Sequence, residues 1–244
     1  MRVRICYNEG SDLAGNDHGG TAVGERIFEL DDRGYFRRHG QRIVPVGVNY
    51  WPGSCGVELW TQWPEDEIRH DLDVLKKLGL NTIRFFLRWQ DFEPEAGVFD
   101  ERQFERLGRL LGWCREREVL AHPGLFVGWM SGGIFWPTWK AGRNVFGDPE
   151  MVERAVRFAR RASEAMAPFR DCVLAVDLGN ELCCLPDSHQ ARPKDVREWC
   201  AKVTWAVREA WPESLIVSGN EQGQFIADTG WRFHDQPGCD LLSM

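Results

Sequence analysis

Five short stretches hold the side chains of this 244-residue chain that could do chemistry: Asn49-Tyr50-Trp51, Arg84 with Arg88-Trp89, Gly128-Trp129-Met130-Ser131, Asn180-Glu181 and Asn220-Glu221. Amides, carboxylates, guanidinium groups and indoles suit a neutral polyhydroxyl molecule such as a sugar. An indole lies flat against the C–H face of a sugar ring while its N–H bonds a hydroxyl. The chain has 12 tryptophans, many beside Gly, Pro or Asn, which is more than core packing alone calls for. Trp51, Trp89, Trp129 and Trp136 fall in predicted strand-to-helix loops and are candidates to floor a cleft. Trp113, Trp199 and Trp205 fall at helical spacing and read as packing. No His/Asp/Glu cluster has metal spacing, and no C-x-x-C pair, G-x-S-x-G elbow or P-loop is present, so no cofactor and no metal are expected.

The net charge of -7 offers no footprint for a phosphate backbone, and nucleic acid is not an expected partner. Apolar runs such as Val173 to Val176 are far short of the roughly 20 residues a membrane-spanning helix needs, so no membrane is expected either. The eight cysteines are scattered, and the amino terminus has no apolar signal region. Free thiols in the cytoplasm are the expected state. Oligomeric state is not legible.

The elements that must position these groups alternate regularly. Residues 1–25 are polar and Gly-rich and read as a flexible leader, with residues 26–244 as the folded part. A short hairpin around Phe28-Glu29-Leu30 and Tyr35-Phe36-Arg37 leads into an apolar run, Ile43 to Val48, read as a buried strand. Ile68, Leu72, Leu75 and Leu78 then recur at helical spacing before Gly79. Strands follow at Thr82 to Leu87, Val119 to Phe126, Cys172 to Leu178 and Leu215 to Ser218, with helices at Asp100 to Glu118, Asp148 to Met166 and Pro193 to Ala210 between them. A last apolar stretch begins at Asp240. Short apolar strands separated by helices call for a parallel sheet covered on both faces. The spacing is that of an α/β (β/α)8 TIM barrel with about strands one to six present; an open doubly wound sheet is the alternative, but no G-x-G-x-x-G follows the first strand. The functional groups then sit at the carboxyl ends of the strands, where the five stretches fall.

Four ordered motifs add a resemblance: Val46-Gly47-Val48-Asn49-Tyr50-Trp51-Pro52, Leu78-Gly79-Leu80-Asn81-Thr82-Ile83-Arg84, Trp89-Gln90-Asp91-Phe92-Glu93-Pro94 and Asp177-Leu178-Gly179-Asn180-Glu181. In this order and spacing the chain resembles the clan A glycoside hydrolases, closest to family 5 and its mannanase-like and cellulase-like members. The resemblance implies retaining hydrolysis of a β-linked polysaccharide or oligosaccharide, mannan or glucan, by two carboxylates. Glu181 matches the catalytic acid/base, Asn180 the residue that bonds the sugar 2-hydroxyl, and Arg84 the strand-two arginine that holds the nucleophile ionised. For Arg84 the alternative is a buried charge pair inside the barrel.

Asn49, Trp51, Trp89, Trp129 and Glu221 are the further substrate-binding candidates. Trp129 stands where related sequences often carry His. The family's nucleophile is a Glu at the end of strand seven, and the sequence reads as ending inside strand six, so the chain alone is expected to be inactive. Glu221 is a weak substitute for that nucleophile. An exo-acting β-glycosidase of the same clan is the rival enzyme, and a carbohydrate-binding pseudoenzyme or inactive fragment is the reading from another class.

Overall fold

The computed structural model describes residues 26–130, 133–219 and 236–243. The leader assigned to residues 1–25 lies outside them. Six strands run parallel: β1 (Gly47–Asn49), β2 (Thr82–Phe86), β3 (Leu120–Val127), β4 (Val176–Asn180), β5 (Ile216–Gly219) and β6 (Leu241–Ser243). Their order across the sheet is their order along the chain. A doubly wound sheet reverses its strand order partway and a barrel does not, so this α/β fold winds as a TIM barrel.

Four long helices connect the strands: α1 (Glu65–Lys77), α2 (Glu101–Glu116), α3 (Pro149–Met166) and α4 (Pro193–Ala210). Each starts where local chemistry dictates. Asp100 accepts from the Arg102 N–H, and Asp148 accepts from the Met151 N–H with Pro149 at the first helical position. In α1, Glu65, Asp66 and Glu67 occupy the first turn and Lys76 and Lys77 the last, matching the helix dipole. The apolar faces of the helices close on the strands, where Ile68, Leu72, Leu107, Leu111, Phe158, Ala159 and Val203 form one core with Ile83, Phe85, Phe126, Val176 and Ile216. Among the described residues no helix is long and apolar enough to cross a membrane.

The hairpin forms as Phe28–Leu30 paired antiparallel with Phe36–Arg38, and Gln41–Arg42 adds a third strand. Phe28, Leu30, Phe36 and Ile43 pack on Leu120, Leu174, Leu215 and Leu241, capping the amino ends of the barrel strands.

Three local expectations need correction. The run Ile43 to Val48 is not a buried strand: only Gly47–Asn49 pairs, and Val44 is 59% exposed, with Val46 and Val48 exposed beside it. Strand β1 is paired on one side only, with β2, so nothing among the described residues covers its other edge. Leu78 is exposed because α1 ends at Lys77 and the chain turns outward at Gly79, whose φ is +77°. Strand β4 starts at Val176 rather than Cys172, and Val173 makes only an isolated bridge to Ala121.

Candidate functional site

Sheet register brings together the polar side chains that interrupt these apolar strands. Asn49 lies beside Arg84, Arg84 beside His122, Val127 beside Asn180 and Asp177 beside Val217. Arg84 donates from Nε (3.0 Å) and Nη2 (2.6 Å) to Oδ2 of Asp177, whose carboxylate is fully buried. The other oxygen, Oδ1, accepts the backbone N–H of Gly179 (3.0 Å) and of Gly219 (3.1 Å). A buried carboxylate needs both a counter-charge and filled acceptor sites, and Asp177 has both. From Nη1, Arg84 donates to Oδ1 of Asn180 (3.1 Å) and of Asn49 (3.3 Å). The buried charge pair therefore exists, and the same guanidinium also reaches the two strand-end amides.

The Asn180 side chain is held at both ends, since its Nδ2 donates to the Trp129 carbonyl (2.6 Å). Glu181, half-buried, follows in the left-handed region (φ 46°, ψ 41°) at the head of the Leu182–Cys184 turn. A non-glycine residue there carries a backbone cost of about 1–2 kcal/mol. That twist ends the strand abruptly and leaves Glu181 just past Asn180, at the carboxyl end of β4.

The aromatic candidates divide. Trp129 is 38% exposed, and half-buried Trp51 lies against Phe86 with ring centroids 6.0 Å apart. Trp89 is not on a cleft wall. It is fully buried, donates from Nε1 to Oε2 of Glu93 (2.7 Å), and packs against Phe126, Trp136, Trp139 and Phe158. The reason is local: a helical turn, Trp89–Phe92, starts directly after Arg88 and turns the indole inward under the α2–α3 contact. Arg88 is likewise structural, buried and paired with Glu58 and Asp91. Burial raises the Asp91 pKa against the opposing pull of Arg88. Among the helical tryptophans, Trp113 and Trp199 are buried, whereas Trp205 is 66% exposed on the outer face of α4. Glu221 lies outside the described residues.

His122, on β3, lies in the core of the barrel, and its Nε2 has no hydrogen-bond partner among the described residues. It stands 3.9 Å from Oδ2 of Asp177. Burial pushes its pKa down to about 4; Asp177 opposes this and Arg84 reinforces it. The folded protein thus resists a proton that the unfolded chain accepts near pH 6.5. Its contribution to stability is complete above pH 6.5 and is lost as the pH falls toward 4, by about 3 kcal/mol in all. Urea unfolding at pH 7 and pH 4.5 is expected to show this loss, and His122→Gln is expected to flatten that part of the slope.

Asp177 had no role assigned from the sequence. The signal was an acidic residue inside the apolar run from Val173 to Leu178, which demands a basic partner from a neighbouring strand. Arg84, inside another apolar strand, is that partner.

No family model matches the chain. Among solved structures, the exo-β-1,4-mannosidase Op5Man5 from Opitutaceae bacterium strain TAV5 is 51% identical, superposes with a TM-score of 0.85, and is matched over 88% of this chain and 40% of its own. A GH5_18 structure from Streptomyces cattleya in complex with Manβ1-4GlcNAc is 26% identical with a TM-score of 0.68, over 79% of this chain and 47% of its own. The β-glucosidase of Agrobacterium sp. is 26% identical over 135 residues, 54% of this chain and 26% of that protein. The chain spans less than half the length of each. In the strand order of its barrel and over the part it spans, the chain is similar to glycoside hydrolases of family 5.

Proposed function

We propose that the full-length protein is a retaining β-mannosidase that removes single sugars from the non-reducing end of β-1,4-linked oligosaccharides. The observation that carries this reading is the Arg84–Asn180 contact beside Glu181, in a chain 51% identical to an exo-β-1,4-mannosidase. In this reading Glu181 donates its proton to the glycosidic oxygen as the bond to the anomeric carbon breaks. A second carboxylate, from a strand outside the six described, attacks that carbon from the opposite face. Glu181 then takes a proton from water, which displaces the sugar from the covalent intermediate and restores the carboxylate. The free N–H of Asn180 bonds the sugar 2-hydroxyl, and Arg84 keeps the attacking carboxylate ionised and oriented. Trp51 and Trp129 offer apolar faces to the ring. The twisted backbone at Glu181 supports its role, because strain of this kind collects where function requires a fixed side chain.

Exo action is supported by the loop after β3. The segment 133–148 is clamped to the segment after β4: Lys140 pairs with Asp187 (3.1 Å), the Val145 N–H donates to Oδ2 of Asp187 (2.9 Å), and Asn144 Nδ2 donates to its carbonyl (2.8 Å). Trp139 Nε1 anchors the same loop to the Glu93 carbonyl (2.8 Å). In this reading the segment anchored at these points is the wall on one side of the mouth, and exo action follows from it.

The test is product analysis on mannohexaose: mannose as the sole early product supports exo action, and a ladder of shorter oligosaccharides counts against it. Asp187→Ala removes the acceptor shared by Lys140 and Val145. It is expected to cost about 1–3 kcal/mol of stability and to add internal cleavage products to the chromatogram.

A further inference from the structure

We propose that Asp177 is a positioning residue of this site: it aims Arg84 and, through Arg84, fixes the orientation of the Asn180 amide that faces the sugar 2-hydroxyl. The inference rests on the roles given to Arg84 and Asn180 above and adds what sets them.

An arginine side chain has enough free torsions to reach several acceptors, so something must choose its direction. Here both Nε and Nη2 close on the single oxygen Oδ2 of Asp177, which fixes the guanidinium plane. The carboxylate cannot turn in response, because its other oxygen is pinned by the N–H groups of Gly179 and Gly219, one on β4 and one on β5. Gly219 is a requirement of this approach: a Cβ there would stand 2.8 Å from Arg84 Nη2, 3.2 Å from Asp177 Oδ2 and 2.7 Å from the Gly179 carbonyl. The Phe86 ring lies against the guanidinium, 4.4 Å from ring centroid to Cζ.

With Arg84 held, Asn180 has one favourable orientation. Its carbonyl oxygen faces Nη1 and its amide nitrogen faces the Trp129 carbonyl. A flipped amide would set donor against donor and acceptor against acceptor. The orientation leaves one Asn180 N–H free of the described partners, and that is the one a sugar hydroxyl can accept. Asp177 touches neither sugar nor reacting atoms in this arrangement; fully buried, it acts only through Arg84.

Asp177→Asn keeps the shape and can still accept from the two glycine N–H groups, but it turns an amide or a neutral oxygen toward Arg84. The full-length protein and this variant are compared on 4-nitrophenyl β-mannoside and on its 2-deoxy analogue. Expected is a loss in kcat/KM of about 100-fold on the 2-hydroxyl substrate, the size that follows from removing a directed transition-state donor, and a distinctly smaller loss on the analogue, which keeps only the share that passes through Arg84 to the attacking carboxylate. Equal losses on both would overturn the proposal, since general structural damage does not distinguish a hydroxyl from a hydrogen.

Arg84→Lys covers the case in which Asp177→Asn does not fold. It keeps the charge but loses the fork that faces the Asn180 carbonyl oxygen, so the Asn180 side-chain amide signals are expected to move; unchanged signals would overturn the proposal. A readout independent of hydrolysis is the side-chain amide of Asn180 in NMR of the asparagine-labelled protein. Its two amide protons are expected to move in Asp177→Asn, and unchanged signals would overturn the positioning role. If the unaltered protein cleaves neither substrate, the β-mannosidase reading fails while the amide signals still decide the proposal.

Discussion

Glu181→Gln in the full-length protein is expected to lower kcat/KM on β-1,4-mannobiose by about 10²–10⁴-fold, and to leave bond cleavage in 2,4-dinitrophenyl β-mannoside nearly unchanged. A sugar alkoxide is a poor leaving group and needs a proton as the bond breaks. A dinitrophenolate leaves without one. Glutamine preserves the left-handed turn and the length of the side chain, so the substitution removes the proton and little else. The second half of the reaction also slows, because the same carboxylate must activate water. The aryl substrate is therefore expected to show a burst of phenolate followed by slow turnover. Steady-state rates on both substrates, with a rapid-mixing trace on the aryl one, check this. Equal losses on the two would take Glu181 out of the acid role.

Trp89→Ala is expected to destabilise the protein by about 3–5 kcal/mol, lowering Tm by about 10 °C or more for a chain of this size. The side chain is fully buried at the junction of β3, α3 and the loop after β3, where Phe126, Phe158, Trp136 and Trp139 surround it. Its removal opens a cavity and strips one hydrogen bond from Glu93, a buried carboxylate that otherwise keeps the Gly97 N–H and Arg154. Trp129→Ala makes the contrast: at an exposed position the stability change is expected within about 0.5 kcal/mol, with KM raised if the indole meets the sugar. Calorimetry on both variants separates the core tryptophan from the exposed one.

The barrel winding was legible because its signal is periodic: apolar strands, capped helices and glycine stops recur in the same order, and α4 begins and ends at the expected residues, Pro193 and Ala210. The strand-end amides Asn49 and Asn180 were legible for the same reason, since each closes a strand, and Arg84 was legible as a charge set inside an apolar one. Trp89 was not, because a tryptophan after a strand looks alike in sequence whether the next turn carries it outward or folds it under a helix pair. Val44, Val46 and Val48 misled in the opposite sense. An apolar run marks a strand that can be buried, while burial depends on neighbours that lie elsewhere in the chain. The role of Asp177 needed three-dimensional contact, because its partners come from β2 and β5, 93 and 42 residues away.

In the proposed function Glu181, Asn180 and Arg84 form one half of a retaining glycosidase site completed by a second carboxylate. The most direct measurement is proton NMR of the sugar released when the full-length protein cleaves 4-nitrophenyl β-mannoside, taken before mutarotation scrambles the anomers. β-Mannose as the first product is expected, because two successive displacements restore the starting configuration. α-Mannose as the first product would mean a single displacement by water and would contradict the claim.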